Sequence, residues 1–155
     1  MPPATPPDEQ LAPHFRLSEL VISTSGERAG LRNEPQATQV RNLRRTAQWL
    51  EVLRGALGCP ITVLSGYRSP AVNKLVGGSD KSAHLRGLAA DFIAPAFGDP
   101  RAVCERVLAL GLPFDQLIYE GSWVHVGLAE VVPRRQVLTA VFVKGVPTQY
   151  RAGLA

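Results

Sequence analysis

The sequence predicts an α+β fold. Three observations carry that prediction: a long helix-period apolar stripe, short β-branched runs mixed among further helices, and two such runs joined by a tight glycine-containing turn. At 155 residues, 45 % hydrophobic and 19 % charged, the chain suits one core and is too short for two. The expected organisation is a proline-rich, extended lead-in over residues 1–13, a small single domain over 14–150, and a frayed C-terminus over 151–155. Fourteen glycines and 13 prolines give loops a large share.

Taken in order, prolines at positions 2, 3, 6, 7 and 13 keep the start extended. Ser18 is placed to cap a short helical turn. Over residues 35–58, Val40, Leu43, Ala47, Leu50, Leu53 and Leu57 recur at three- and four-residue steps, the signature of one buried helix face. Arg41, Arg44 and Arg45 fall on its solvated faces, and Gly58 with Pro60 ends it. Residues 61–65 read as a strand and 69–82 as a loop rich in Gly, Ser and Asn. Residues 88–93 form a second strand. Asp99 before Pro100 is a helix start and Gly111 its stop. Residues 114–119 and 123–128 then make a hairpin about Glu120-Gly121-Ser122, and 137–143 are the last strand.

Composition excludes several functions. No apolar run is long enough to span a membrane. The opening MPPATPPDEQ lacks the basic and apolar regions of a secretory signal, so none is expected. The net charge of +4 comes from scattered basic residues with no aromatic-basic motif, which argues against nucleic acid while allowing an anionic partner. Cys59 and Cys104 show no metal or redox spacing and are expected as two buried thiols.

Chemistry concentrates at two of the three histidines, since His14 in the lead-in reads as a surface residue. His84 and Asp91 would stand about 10 Å apart along a helix axis and more than about 20 Å apart along a strand. Ligands of one zinc ion need donor atoms roughly 3–4 Å apart. A shared metal therefore demands a reversal between them, which Gly87 permits. Asp91 lies in an apolar strand, where a carboxylate needs a partner. His125 shares a strand face with Trp123, while Val124 and Val126 share the other. Two imidazoles and one carboxylate leave a fourth corner for water, the open arrangement of catalytic zinc. On spacing alone, the alternative stands equal: a core His125, and Asp91 paired with Arg86.

Ser65-Gly66-Tyr67-Arg68-Ser69, the S-x-H-x-x-G-x-A-x-D pattern over residues 82–91, and Trp123-Val124-His125 occur in that order. Together they resemble the M15 family of zinc peptidases, in the D-alanyl-D-alanine carboxypeptidase-like branch common among phage lysis proteins. The likeness spans residues 15–128. It implies a hedgehog/D-Ala-D-Ala peptidase-like fold, an antiparallel sheet with helices packed on it and zinc held at the sheet. It makes His84, Asp91 and His125 the zinc ligands and Arg68 the group that orients substrate or polarises its carbonyl. Ser82 would support the ligand loop, and Ser82 and Trp123 would border the substrate.

Relatives often carry an acidic residue three positions before the last ligand histidine, as general base. Here that position is Ser122, which cannot deprotonate water. Glu120 is the expected base and Asp115 the reserve. The implied activity is hydrolysis of an amide bond in the peptide stem of bacterial peptidoglycan, of D-Ala-D-Ala carboxypeptidase or endopeptidase type, by a monomer. Synthesis in the cytoplasm with release to the wall would suit a phage-encoded protein. The alternative is a non-catalytic peptidoglycan-binding or virion structural protein on the same fold.

Overall fold

The longer helices start and stop where their capping residues dictate. The computed structural model describes residues 8–154. The chain runs β1 (Gln10–Ala12), β2 (Phe15–Arg16), α1 (Leu17–Leu20), α2 (Thr24–Arg28), α3 (Ala37–Leu57), β3 (Thr62–Ser65), α4 (Pro70–Leu75), a 3-10 turn (Ala83–Arg86), β4 (Ala89–Ile93), α5 (Pro100–Leu110), β5 (Gln116–Tyr119), β6 (Val124–Gly127), β7 (Gln136–Val141) and β8 (Gln149–Ala152). This is a small single α+β domain. α3 opens with the Gln36 N–H donating to Gln39 Oε1 and closes at Gly58, whose φ of 69° is left-handed. α5 opens with Asp99 accepting from the Ala102 N–H at 2.8 Å, with Pro100 at its first position.

Six strands form one sheet in the order β3-β4-β6-β5-β7-β8. Its two faces divide by strand alternation. Ala90, Phe92, Leu117, Val124 and Val126 face Leu43, Ala47, Leu50 and Leu53 of α3 and Val103, Cys104 and Val107 of α5 in one core cluster. The Trp49 ring meets Phe92 edge-on at 6.2 Å, and its indole N–H donates to the Pro113 carbonyl at 2.6 Å, so the largest core ring keeps its polar atom paired. The opposite face carries Asp91, His125, Ile118 and Leu138, which the strand registers set in one row.

The structure corrects the sequence reading at several points. The sheet is not wholly antiparallel, because β5 and β7 run parallel, Gln116 beside Gln136. β4 occupies the other edge of β6, so the chain leaving β6 hops over β5 at the same end of the sheet and finds only the free β5 edge. Arg134, which binds Asp115 through its backbone N–H and its guanidinium, clamps that hop. Residues 69–82 are not all loop: Ser69 caps α4 by accepting from the Val72 N–H. Ser18 is no cap; it lies inside α1 and donates to Asp8. Residues 10–12 form a strand with Leu11 and Ala12 buried, and Arg151 and Ala152, expected to fray, pair with β7 as part of β8. Positions 1–7 and 155 lie outside the described residues.

Phe92 is fully buried between the sheet and Trp49. Phe92→Ala is expected to lower the unfolding free energy by about 3–5 kcal/mol in urea titration. A loss below about 1 kcal/mol would contradict the core described above.

Candidate metal centre

Asp91, on β4, stands directly across the ladder from His125, on β6. His84 arrives from the 3-10 turn, which Gly87 ends at a φ of 75°. A Cβ on Gly87 would lie 2.7 Å from the Gln39 carbonyl oxygen of α3, so the reversal needs glycine for both its torsion and its closeness to the helix. Thr46 of α3 donates to the Gly87 carbonyl at 2.8 Å and holds the turn down.

The three side chains converge. His84 Nε2 is 3.3 Å and His125 Nδ1 2.9 Å from Asp91 Oδ1, and all three donor atoms lie within 4.8 Å of one another. Edges of a zinc tetrahedron are about 3.3 Å for bonds near 2 Å, so the two separations from Asp91 are close to its size. The His84 ring donates from Nδ1 to the Gly66 carbonyl at 2.6 Å, which leaves Nε2 free to ligate. Gly66 must itself be glycine, since a Cβ there would lie 2.2 Å from the Leu20 carbonyl oxygen. The Ser82 hydroxyl accepts from the His84 backbone N–H at 3.2 Å. Burial lowers the His84 pKa and so favours the neutral imidazole that a metal needs. Burial alone would raise Asp91, but the His84 charge and hydrogen bonds from His125 and His84 outweigh it and hold the carboxyl well below its usual range. Two imidazole nitrogens and one carboxylate, with no thiolate among them, fit zinc with an open corner. Cys59 and Cys104 are both free. Cys104 is buried in the core, its thiol pushed up to about 12 by that burial, while Cys59 is only partly covered.

Arg68 braces the carboxylate from its other side. Its guanidinium donates to Asp91 Oδ2 at 3.3 Å, Ser65 Oγ at 3.2 Å and Asn73 Oδ1 at 3.4 Å. Asp91 is therefore not the partner of Arg86, which pairs with Glu130 on the surface. Asn73 is a residue the sequence reading missed. It is buried, and it also donates to the Ser79 carbonyl at 2.9 Å, tying the 77–79 turn to Arg68. Gly78 packs so closely on it that a Cβ would lie 2.0 Å from Asn73 Oδ1. An asparagine after Ala71-Val72, four residues before Gly77-Gly78, was the available signal.

The remaining candidates separate clearly. Alternation from Ile118 puts Glu120 on the same sheet face as His125, and both line a cleft of about 850 Å³ with Arg68, Ser82, His84, Asp91 and Trp123. Among the described residues no side chain hydrogen-bonds or ion-pairs with Glu120. Burial raises its pKa, with His125 pulling down and Asp91 pushing up. Ser122 is exposed in the turn. Asp115 also borders the cleft but is held below its ordinary pKa by hydrogen bonds from Arg134, so the reserve base is already occupied. His14 pairs with Glu51 at 2.8 Å on the surface and takes no part.

A family model described as Peptidase M15 matches residues 13–127, which include all three converging side chains, Arg68 and Glu120. No curated protein matches the chain. Protein dialysed against buffered zinc is expected to hold about one ion per chain by atomic emission, and His84→Ala and His125→Ala to hold almost none. Full zinc content in both variants would place the metal elsewhere.

Proposed function

The chain belongs to the M15 family of zinc-dependent peptidases, and from that premise we propose that it hydrolyses an amide bond in the peptide stem of bacterial peptidoglycan, as a D-Ala-D-Ala carboxypeptidase or endopeptidase of the phage endolysin-type branch. The observation that carries this reading is the convergence of His84, Asp91 and His125 beneath a cleft that also holds an unpaired Glu120. When bound by those three residues, zinc supplies a Lewis acid that makes water a nucleophile at neutral pH and polarises a carbonyl.

The protein's own groups do the rest. Glu120, ionised and unpaired, takes a proton from the attacking water and returns it to the departing amine. Its raised pKa brings it nearer neutrality, where it serves both steps. Arg68 carries five N–H donors, and its three protein contacts leave others to orient a substrate carboxylate or the carbonyl oxygen as charge grows there. Asp91, Ser65 and Asn73 fix that fork in advance, so little ordering remains when substrate binds. Ser82 holds the His84 turn, and Trp123 borders the cleft as a substrate contact. The mild positive charge favours approach to an anionic wall in a salt-dependent way. The non-catalytic alternative draws its support from Ser122; the place of Glu120 in the cleft supports the catalytic reading.

Purified stem peptides are expected to release new amines, detected by mass spectrometry, and to stop doing so with a chelator. Cleavage that survives chelation would refute the mechanism. Glu120→Gln is expected to lower kcat by about 10²–10⁴ while keeping its zinc; wild-type turnover would remove Glu120 as base. Because the base works only when ionised, kcat/KM is expected to fall on the acid side at a pH above the ordinary glutamate value of 4.5. An acid limb below that value would contradict the burial of Glu120.

A further inference from the structure

The family match ends at residue 127, and the two strands beyond it build one wall of the cleft. The parallel register ends with Tyr119 beside Thr139, and carried one residue further it puts Glu120 level with Ala140, which faces Tyr150 across the β7–β8 ladder. Glu120, Ala140 and Tyr150 thus share one row on the site face. The middle residue carries only a methyl group, so nothing taller stands between the Tyr150 ring and Glu120, two strand spacings or about 10 Å away at the backbone.

Phe142 closes the same side: a Cβ on Gly121 would lie 3.3 Å from its ring edge, so the ring covers the turn that follows Glu120. Both rings are half-exposed and line the cleft, and the Tyr150 hydroxyl has no hydrogen-bond partner among the described residues. Burial, with the charges of Glu120 and Asp91, raises the Tyr150 pKa, which keeps the hydroxyl a donor through the neutral range. Arg68, Lys81, Arg86 and Arg134 also line the cleft, Arg86 paired with Glu130 and Arg134 with Asp115.

We propose that the β7–β8 hairpin is a substrate-binding wall, in which the Tyr150 hydroxyl donates to a backbone carbonyl of the bound peptide while its ring and Phe142 cover an adjacent small aliphatic side chain. The hairpin then favours an uncharged aliphatic residue on its side of the site. This inference rests on the peptidase reading above.

The test is steady-state kinetics of the zinc-loaded full chain on stem peptides, comparing Tyr150→Ala, Tyr150→Phe, Phe142→Ala and Phe142→Leu. Removing a contact made equally in ground and transition states raises KM and spares kcat. Tyr150→Ala and Phe142→Ala are each expected to raise KM about tenfold, the weight of one hydrogen bond or ring contact, with kcat within about twofold. Tyr150→Phe and Phe142→Leu, which keep the fold's packing, are expected to recover part of that loss. An aspartate in place of the aliphatic residue is expected to be rejected by wild type and tolerated better by Phe142→Ala. Unchanged KM in all four variants, or a fall in kcat alone, would overturn the inference while wild-type cleavage keeps the peptidase reading standing. Absence of wild-type cleavage of any stem peptide would overturn that reading and this inference with it.

Discussion

A buried carboxylate organises the molecule. Asp91 sits mid-sheet at 6 % exposure, where an ionised group costs several kcal/mol unless its oxygens are met. One oxygen is met by two imidazoles and the other by a guanidinium. Each partner comes from a different part of the chain. The β4–β6 register brings His125, the Gly87 reversal brings His84, and the segment after β3 brings Arg68. Each partner removed leaves the buried charge less fully compensated. Brought together, the same groups make a set of donors that a divalent ion completes.

The sheet separates stability from chemistry by strand alternation. Phe92 and Asp91 are neighbours in sequence, yet one enters the core against α3 while the other enters the cleft. Val124 and His125 divide in the same way. The core face stays apolar and tightly filled, so the site face can hold half-buried charged groups. Where the two meet, glycines allow contacts no side chain would, as at Gly66 against Leu20 and Gly87 against Gln39.

Much of this arrangement was legible in local sequence because local chemistry decides it. The apolar stripe of α3, the Asp99-Pro100 start of α5 and the hairpin around Gly121 depend on residues a few positions apart, and each formed where its signals placed it. The convergence of His84, Asp91 and His125 was half legible: Gly87 permits the reversal, but spacing alone left a core His125 and an Asp91–Arg86 pair standing equal, and the resemblance to the M15 family decided between them. What was not legible depends on partners distant in the chain. The parallel β5–β7 pairing follows from β4 already occupying the far edge of β6, which no segment of sequence announces. α4 hid inside a Gly- and Ser-rich stretch because its cap, Ser69, is one of the residues that mark loops. Tyr150 reaches the cleft through the pairing of β8 on β7, a strand the local reading did not expect, since it ended the sheet at 137–143 and left 151–155 to fray.

The central claim is that one zinc ion is held by two imidazoles and one carboxylate with a fourth position open to small ligands. X-ray absorption at the zinc edge of the loaded protein tests it most directly. Only nitrogen and oxygen neighbours at about 2.0–2.2 Å are expected, with the outer-shell scattering of two imidazole rings. A sulfur shell near about 2.3 Å, or scattering from fewer than two rings, would contradict it.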